Sequence, residues 1–172
     1  MAQKLSMGSV ALRRATSANL PFIMGVEATP GHDAFINPQM REEHEAQLAS
    51  PAFAYFVAEA EGAPVGFAIL SEMTEARGNR CLKRLALARP GQGLGRPLFR
   101  AVTDWAFANT PAHRFWLHAL HTNARAIHLY ASEGLIEEGR LRQARPLGDG
   151  TRADLVVMSV LRPEWAAMRG QG

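Results

Sequence analysis

The stretch Arg80–Trp105 constrains the fold of this chain more than any other. Arg80–Leu87 sets Leu82, Leu85 and Leu87 against Lys83 and Arg84, an alternation that reads as a strand. Leu98, Val102 and Trp105 then recur at i, i+4 and i+7, the spacing of a core-facing helix. Between the two lies Gly91-Gln92-Gly93-Leu94-Gly95. Glycines at such a junction let backbone approach a ligand closely, and the helix behind them offers unpaired N–H groups at the positive end of its dipole. A strand, glycine turn and helix in this order suit a pyrophosphate, although a purely structural turn would look the same. Two rival phosphate motifs are excluded. A dinucleotide-binding fingerprint needs glycine where Arg96 stands, and the Gly-Lys-Ser/Thr ending of a P-loop is absent. Arg89, Arg96 and Arg100 place cations around the turn.

The remaining segments surround this unit. Val10–Arg13 reads as a short strand, and Ser17 caps a helix through about Glu27 with Pro21 in its first turn. After the loop Ala28–Asn37, Asn37-Pro38 opens an acidic helix to about Ala49. Ala54–Ala60 and Val65–Leu70 form a hairpin around Glu61-Gly62-Ala63-Pro64, and Thr74–Asn79 is a polar connection. Downstream, Phe115–Leu120 is a strand and Ala124–Ser132 a helix ended by Gly134. Ile136–Arg145 and Ala153–Leu161 close the chain as a hairpin about Asp149-Gly150. The order predicts an α/β (α+β) fold, a mixed sheet with helices on its faces.

Composition narrows the class. A length of 172 residues fits one domain over 1–172, with a core from about 10 to 161. Apolar residues at 47% and charged ones at 20% exclude a disordered chain. No apolar run approaches the ~20 residues of a membrane helix, and residues 1–16 hold no signal-like h-region. The single Cys81 allows no internal disulfide, and no Cys/His spacing suggests a metal site. The expectation is a cytoplasmic domain without metal or membrane partner. Nucleic acid is also not expected, since the arginines lack aromatic interleaving or a recognition-helix motif. The net charge of +3 is unevenly placed: residues 1–75 hold four Lys/Arg and nine Asp/Glu, and residues 76–172 hold fifteen and seven. A division of this kind fits two partners of opposite charge.

A second constellation follows the strand at 115–120. Asn123-Ala-Arg-Ala-Ile-His-Leu-Tyr130 places an N-cap and a tyrosine seven residues apart, on one helix face, where both can meet one elongated ligand. An N-cap plus a packed aromatic is the plainer account of the same residues. Taken together, Gly91–Gly95 and Asn123-Ala-Arg-Ala-Ile-His-Leu-Tyr130-Ala-Ser-Glu-Gly134 resemble the GCN5-related N-acetyltransferase (GNAT) family. The similarity is greatest to its bacterial ribosomal-protein and small-amine acetyltransferase branches. It runs from about Val10 to Leu161, with its strong motifs between Arg80 and Leu135.

The resemblance implies a mostly antiparallel sheet of about seven strands, about four helices and splayed central strands. It implies an enzyme that moves the acetyl group of acetyl-CoA to a primary amine, by direct attack in a ternary complex. The acceptor would be a protein N-terminus, an amino acid, a polyamine, an amino sugar or an amine drug. Leu85, Ala86 and Leu87 would pair with the pantetheine arm, and the turn Gly91, Gln92, Gly93, Leu94, Gly95 and Arg96, with Arg89 beside it, would hold the pyrophosphate. Asn123 would hydrogen-bond the cofactor arm, and Tyr130 would protonate the departing thiolate. A homodimer is the family's habit. An alternative on the same fold is a catalytically silent acyl-CoA sensor or interaction module.

The departures from the pattern concern the base. A neutral amine is the nucleophile, and a lysine-like amine has a pKa of about 10.4, so a proton must leave. The strand glutamate of the histone-modifying branch falls on Cys81, a poor base. The glutamate proposed as the base in the ribosomal-protein branch, five residues before Asn123, falls on His118. His121 and His128 compete, as does a water chain with no single base. Pro90 stands where the turn usually opens with Arg or Gln, and the strand–turn junction is about two residues short. The assignment of Leu85–Leu87 can therefore slip by one or two. Glu27, Asp33, Glu42, Glu43, Glu72 and Glu75 form the expected acceptor wall, suited to a cationic amine.

Overall fold

The computed structural model describes residues 10–32 and 34–170. Strands β1 (Ala11–Arg14), β2 (Ala54–Ala60), β3 (Ala63–Ser71), β4 (Asn79–Leu87), β5 (Arg114–Leu120), β6 (Ile136–Pro146) and β7 (Arg152–Leu161) form one sheet. Their order is β1-β2-β3-β4-β5-β7-β6, and every neighbouring pair is antiparallel except β4 with β5. The helices are α1 (Leu20–Glu27), α2 (Arg41–Ala49), α3 (Gly95–Asn109), α4 (Ala124–Ser132) and α5 (Arg162–Arg169).

Each face of the sheet has its own core. Leu98, Val102 and Ala106 repeat along α3 and, with Phe99 and Phe107, bury against Phe56, Ala68, Leu82 and Phe115. On the other face Leu20, Ile23 and Val26 of α1 pack on Tyr55, Phe67 and Ile69. Each such large side chain contributes about 1.5–3 kcal/mol of transfer free energy when fully buried. Among the described helices, α5 was not foreseen. A single aromatic in a polar octet gives little periodicity, yet Trp165 stacks on Phe107 at 5.0 Å and its indole N–H donates to Asp104 at 2.7 Å.

Several boundaries differ from expectation. Ser17 does not cap the first helix: it opens a 3-10 turn, Ser17–Asn19, that follows Thr16, and α1 begins at Leu20. Glu61 and Gly62 both take positive φ (53° and 78°), so the hairpin turn has two residues and β3 begins at Ala63. Helix α2 starts at Arg41 rather than at Asn37-Pro38, because the backbone at 37–40 is engaged elsewhere. The Asn37 carbonyl accepts from Arg84 Nη2 at 2.6 Å, and the Gln39 N–H donates to Glu27 Oε2 at 3.2 Å. The Met40 N–H is then capped by Glu43 at 2.9 Å.

These contacts belong to a buried cluster centred on Glu27. Its carboxylate also accepts from Arg84 Nη1 on β4 and lies 3.1 Å from His44 Nε2 on α2, whose Nδ1 lies 3.0 Å from the Tyr55 hydroxyl. Burial alone would raise the Glu27 pKa. The hydrogen bond from His44, the Arg84 guanidinium and the Gln39 N–H outweigh it and hold the carboxyl below its ordinary value. One carboxylate thus ties α1, α2 and β4 together.

Two outcomes are expected. Glu27→Gln should lower unfolding free energy by about 3 kcal/mol, measured by urea denaturation, because Arg84 loses its counter-charge. The stabilisation from Glu27 is fully present above its unfolded pKa of about 4.3 and is lost as pH falls through the lower folded value, so the deficit of the variant should shrink in acid. Gly66→Ala should be more local. Its Cβ would lie 2.4 Å from the Ala86 carbonyl oxygen, forcing β3 and β4 apart. A lower Tm is expected, together with weaker binding of any ligand held by Ala86 and Leu87.

Candidate active site

Strands β4 and β5 pair only at Asn79↔Arg114, Arg80↔Phe115 and Cys81↔Trp116. Beyond that point β4 stays with β3 as far as Gly66↔Leu87, and β5 stays with β7 as far as Leu120↔Leu155. The central strands are splayed, as the resemblance implied. Lys83 is left unmatched between Ile69↔Arg84 and Leu70↔Leu82, a bulge that bends β4 at the start of the opening. A cleft of about 1020 Å³ fills the gap. The inner edges of Leu82–Leu87 and Leu117–Leu120 have no strand partner there, so their backbone groups are available to a ligand.

Of the residues singled out in the sequence, Leu85, Ala86, Leu87, Gly93, Gly95, Arg96, Asn123, His118 and Tyr130 line this cleft. Arg89, Gly91, Gln92 and Leu94 belong to the same turn but lie off the cleft wall. Gly91 and Gly93 adopt φ of 90° and 75°, which side-chain-bearing residues rarely tolerate. Helix α3 begins immediately behind them at Gly95.

The arginines are arranged differently from expectation. Arg96 and Arg100 are both ion-paired to Glu133, Arg100 at 2.6 Å, and the Glu133 side chain is 3% exposed. They fasten the start of α3 to the end of α4, and only Arg96 also reaches the cleft wall. Asn123 caps α4 through its side-chain oxygen, which accepts from the Ala126 N–H at 3.2 Å, leaving its amide N–H groups for a ligand. Tyr130 packs on Phe99 at 5.0 Å, and burial pushes its phenol up to about 12. The hydroxyl is therefore a proton donor at neutral pH.

The far half of the cleft carries His118, whose ring lies 6.1 Å from that of Trp116. Desolvation, then Arg145 and Lys83, lower the His118 pKa from its ordinary value, so the ring is a neutral proton acceptor at pH 7. His128 also lies on the wall, whereas exposed His121 lies past the end of β5, with Nδ1 3.3 Å from the Asp154 carbonyl oxygen. Cys81 sits where the strands part, and burial pushes its thiol up to about 11, which removes it as a base near neutrality.

The expected acidic wall is not present in that form. Glu27 is buried in its cluster, Glu43 caps α2, and Glu75 is taken by the backbone N–H groups of Arg77 and Asn79. Glu42 is exposed and off the wall, and Asp33 lies outside the described residues. Among the described residues Glu72 is the one carboxylate on the wall, held by the Trp116 indole N–H at 2.8 Å and placed by a φ of 62°. Lys83, Arg84 and Arg145 face the same half and were not foreseen as site residues.

Comparison with known proteins agrees with this geometry. The model of the acetyltransferase (GNAT) family matches residues 25–134. A spermidine N(1)-acetyltransferase of Vibrio cholerae is 35% identical over 57 residues, which span 33% of this chain and 33% of that protein. The crystal structure of a spermidine N-acetyltransferase from Vibrio cholerae with CoA and spermine superposes with a TM-score of 0.83 at 23% identity. That match covers 92% of this chain and 98% of the other. A dodecameric structure of spermidine N-acetyltransferase from the same organism gives 0.77 at 22% identity, over 91% and 96% of the two chains.

The buried Cys81 supplies a direct check on the cleft floor. Its alkylation by iodoacetamide should be much slower than that of a free cysteine between pH 7 and 9, and should accelerate toward pH 11 or on unfolding. Rapid modification at neutral pH would mean an open, ionised thiol.

Proposed function

Because the chain belongs to the acetyltransferase (GNAT) family, we propose that it transfers the acetyl group of acetyl-CoA to a primary amine by direct attack in a ternary complex. The observation that carries this reading is the cleft between the parted strands, whose wall includes both Tyr130 and His118. Acetyl-CoA would supply a thioester carbonyl and a thiolate leaving group. The residues present fit it: β4 offers an unpaired edge at Leu85–Leu87, and Gly91–Arg96 turns into a helix N-terminus suited to a pyrophosphate.

The chain's own groups then divide the work. Backbone N–H groups of the β4 edge would polarise the acyl oxygen. His118 would take the proton from the attacking ammonium, directly or through water, while Tyr130 donates one to the sulfur. A polyamine is one acceptor this reading admits, supported by likeness to the spermidine enzymes. Assembly into a homodimer or larger oligomer belongs to the same reading, supported by the dodecameric neighbour and by Ile136 and Leu141, exposed on edge strand β6. The second reading, a silent acyl-CoA sensor, is favoured by Cys81 at the place of a strand glutamate.

Release of CoA thiol with a panel of amines separates the two, since a sensor binds CoA without turnover. For an enzyme, Tyr130→Phe should lower kcat by about 10²-fold. In the wild type, kcat/KM should rise with pH through a limb below 6.5, the ordinary His118 value, because the histidine must be neutral to accept a proton. His118→Ala should slow turnover and remove that limb. An unchanged profile would hand the proton to a water chain.

A further inference from the structure

The half of the cleft that faces α1 and α2 is more cationic than an amine site needs to be. Lys83, Arg84, Arg145, Glu72 and His118 all line it. Arg84 is neutralised by Glu27. Lys83 and Arg145 have neither an ion pair nor a side-chain hydrogen bond among the described residues. The Lys83 ammonium lies over the Phe53 ring at 5.5 Å, and the buried Nε of Arg145 lacks any partner. Desolvation, followed by the nearby Arg84, lowers the pKa of both. Both also act on His118. Two partly desolvated cations therefore converge on the proposed proton acceptor, neither of them ion-paired among the described residues, with Glu43 and Glu27 acting on Lys83 only from beyond ion-pair distance.

Unpaired cations in a partly dry wall cost free energy unless a ligand completes them. The Arg145 side chain lines the cleft with its terminal Nη groups unpaired among the described residues, and two such groups can hold a carboxylate or phosphate through parallel bonds. Glu72, meanwhile, is fixed by Trp116, whose ring neighbours His118, so a carboxylate and a proton acceptor lie together on the same wall.

Resting on the acetyl-transfer reading, we infer that the acceptor is a zwitterion, a primary amine bearing a carboxylate or phosphate that Lys83 and Arg145 hold while its ammonium faces Glu72 and His118. The pairing gives two effects. The anion draws the acceptor into a wall that would repel a bare polycation, and the same cations favour loss of the ammonium proton once it is bound. The attacking nitrogen forms the amide bond, its proton passes to His118, and the C–S bond breaks with protonation of sulfur.

The test measures CoA release with decarboxylation pairs, alanine against ethylamine and lysine against cadaverine. It also compares O-phosphoethanolamine with ethanolamine and includes spermidine alone. The anionic member of at least one pair should have a kcat/KM about tenfold higher or more, and the pair that responds distinguishes carboxylate from phosphate. In Lys83→Gln and Arg145→Gln the KM for that acceptor should rise about tenfold, and Lys83→Glu with Arg145→Glu should invert the preference toward cadaverine. Equal or better use of ethylamine, cadaverine or spermidine by the wild type would overturn the zwitterion while leaving acetyl transfer intact. CoA binding with no turnover of any amine would instead overturn the acetyl-transfer reading on which it rests.

Discussion

The decisive constraint in this molecule is that two neighbouring strands stop pairing. Parallel β4 and β5 exchange hydrogen bonds at three registers and then diverge, which leaves two rows of backbone donors and acceptors facing a cleft rather than each other. In a sheet interior such groups are rarely left unmatched. The opening is stable because each strand keeps a partner on its outer side, β3 for one and β7 for the other, and because α3 and α4 start beside it. The polar backbone of the cleft is therefore a consequence of topology, and the site residues are additions to it.

Two buried carboxylates hold the opening in shape from opposite faces. Glu27 fixes Arg84 of β4 to α1 and α2, and Glu133 fixes Arg96 and Arg100 of α3 to the end of α4. Each is almost wholly desolvated and each is matched by a guanidinium, the condition under which a buried charge is tolerated. This explains why acidic residues of the N-terminal half, which by count alone made a plausible wall for a cationic substrate, do not form one. Glu27 is consumed in structure, and the cations that line the cleft with His118 include Lys83 and Arg84 of β4 and Arg145 of β6.

Much of this was legible in the sequence, for physical reasons that differ by element. Helix α3 was legible because Leu98 and Val102 mark one face, and β2 and α4 because turn residues or an N-cap bound them. Tyr130, Asn123 and the glycine turn were legible through short-range spacing and resemblance. Arg145 was not, since its place depends on how the β6–β7 hairpin folds back, which no local pattern records. Lys83 was read as half of an alternation, while its exposure to the cleft comes from the bulge against Ile69 and Leu70. The start of α2 moved because tertiary bonds from Arg84 and Glu27 took backbone groups that a local reading gives to a helix cap.

The charge division seen at the outset therefore has a different meaning from the one its counts suggest. The basic half does supply the glycine turn and its arginines, but Glu133 neutralises two of them, so in the proposed function the pyrophosphate would rest on backbone N–H groups and the helix end. The same half supplies the free cations next to His118. A histidine so placed is a weaker base than usual but is neutral over a wider pH range. A bound ammonium exposed to the same field is correspondingly more acidic. The first shift opposes proton transfer from amine to ring and the second favours it, so what the field secures is a ring that is already neutral when the amine arrives. The cost is repulsion of the incoming ammonium, which an acceptor offsets by bringing its own anion.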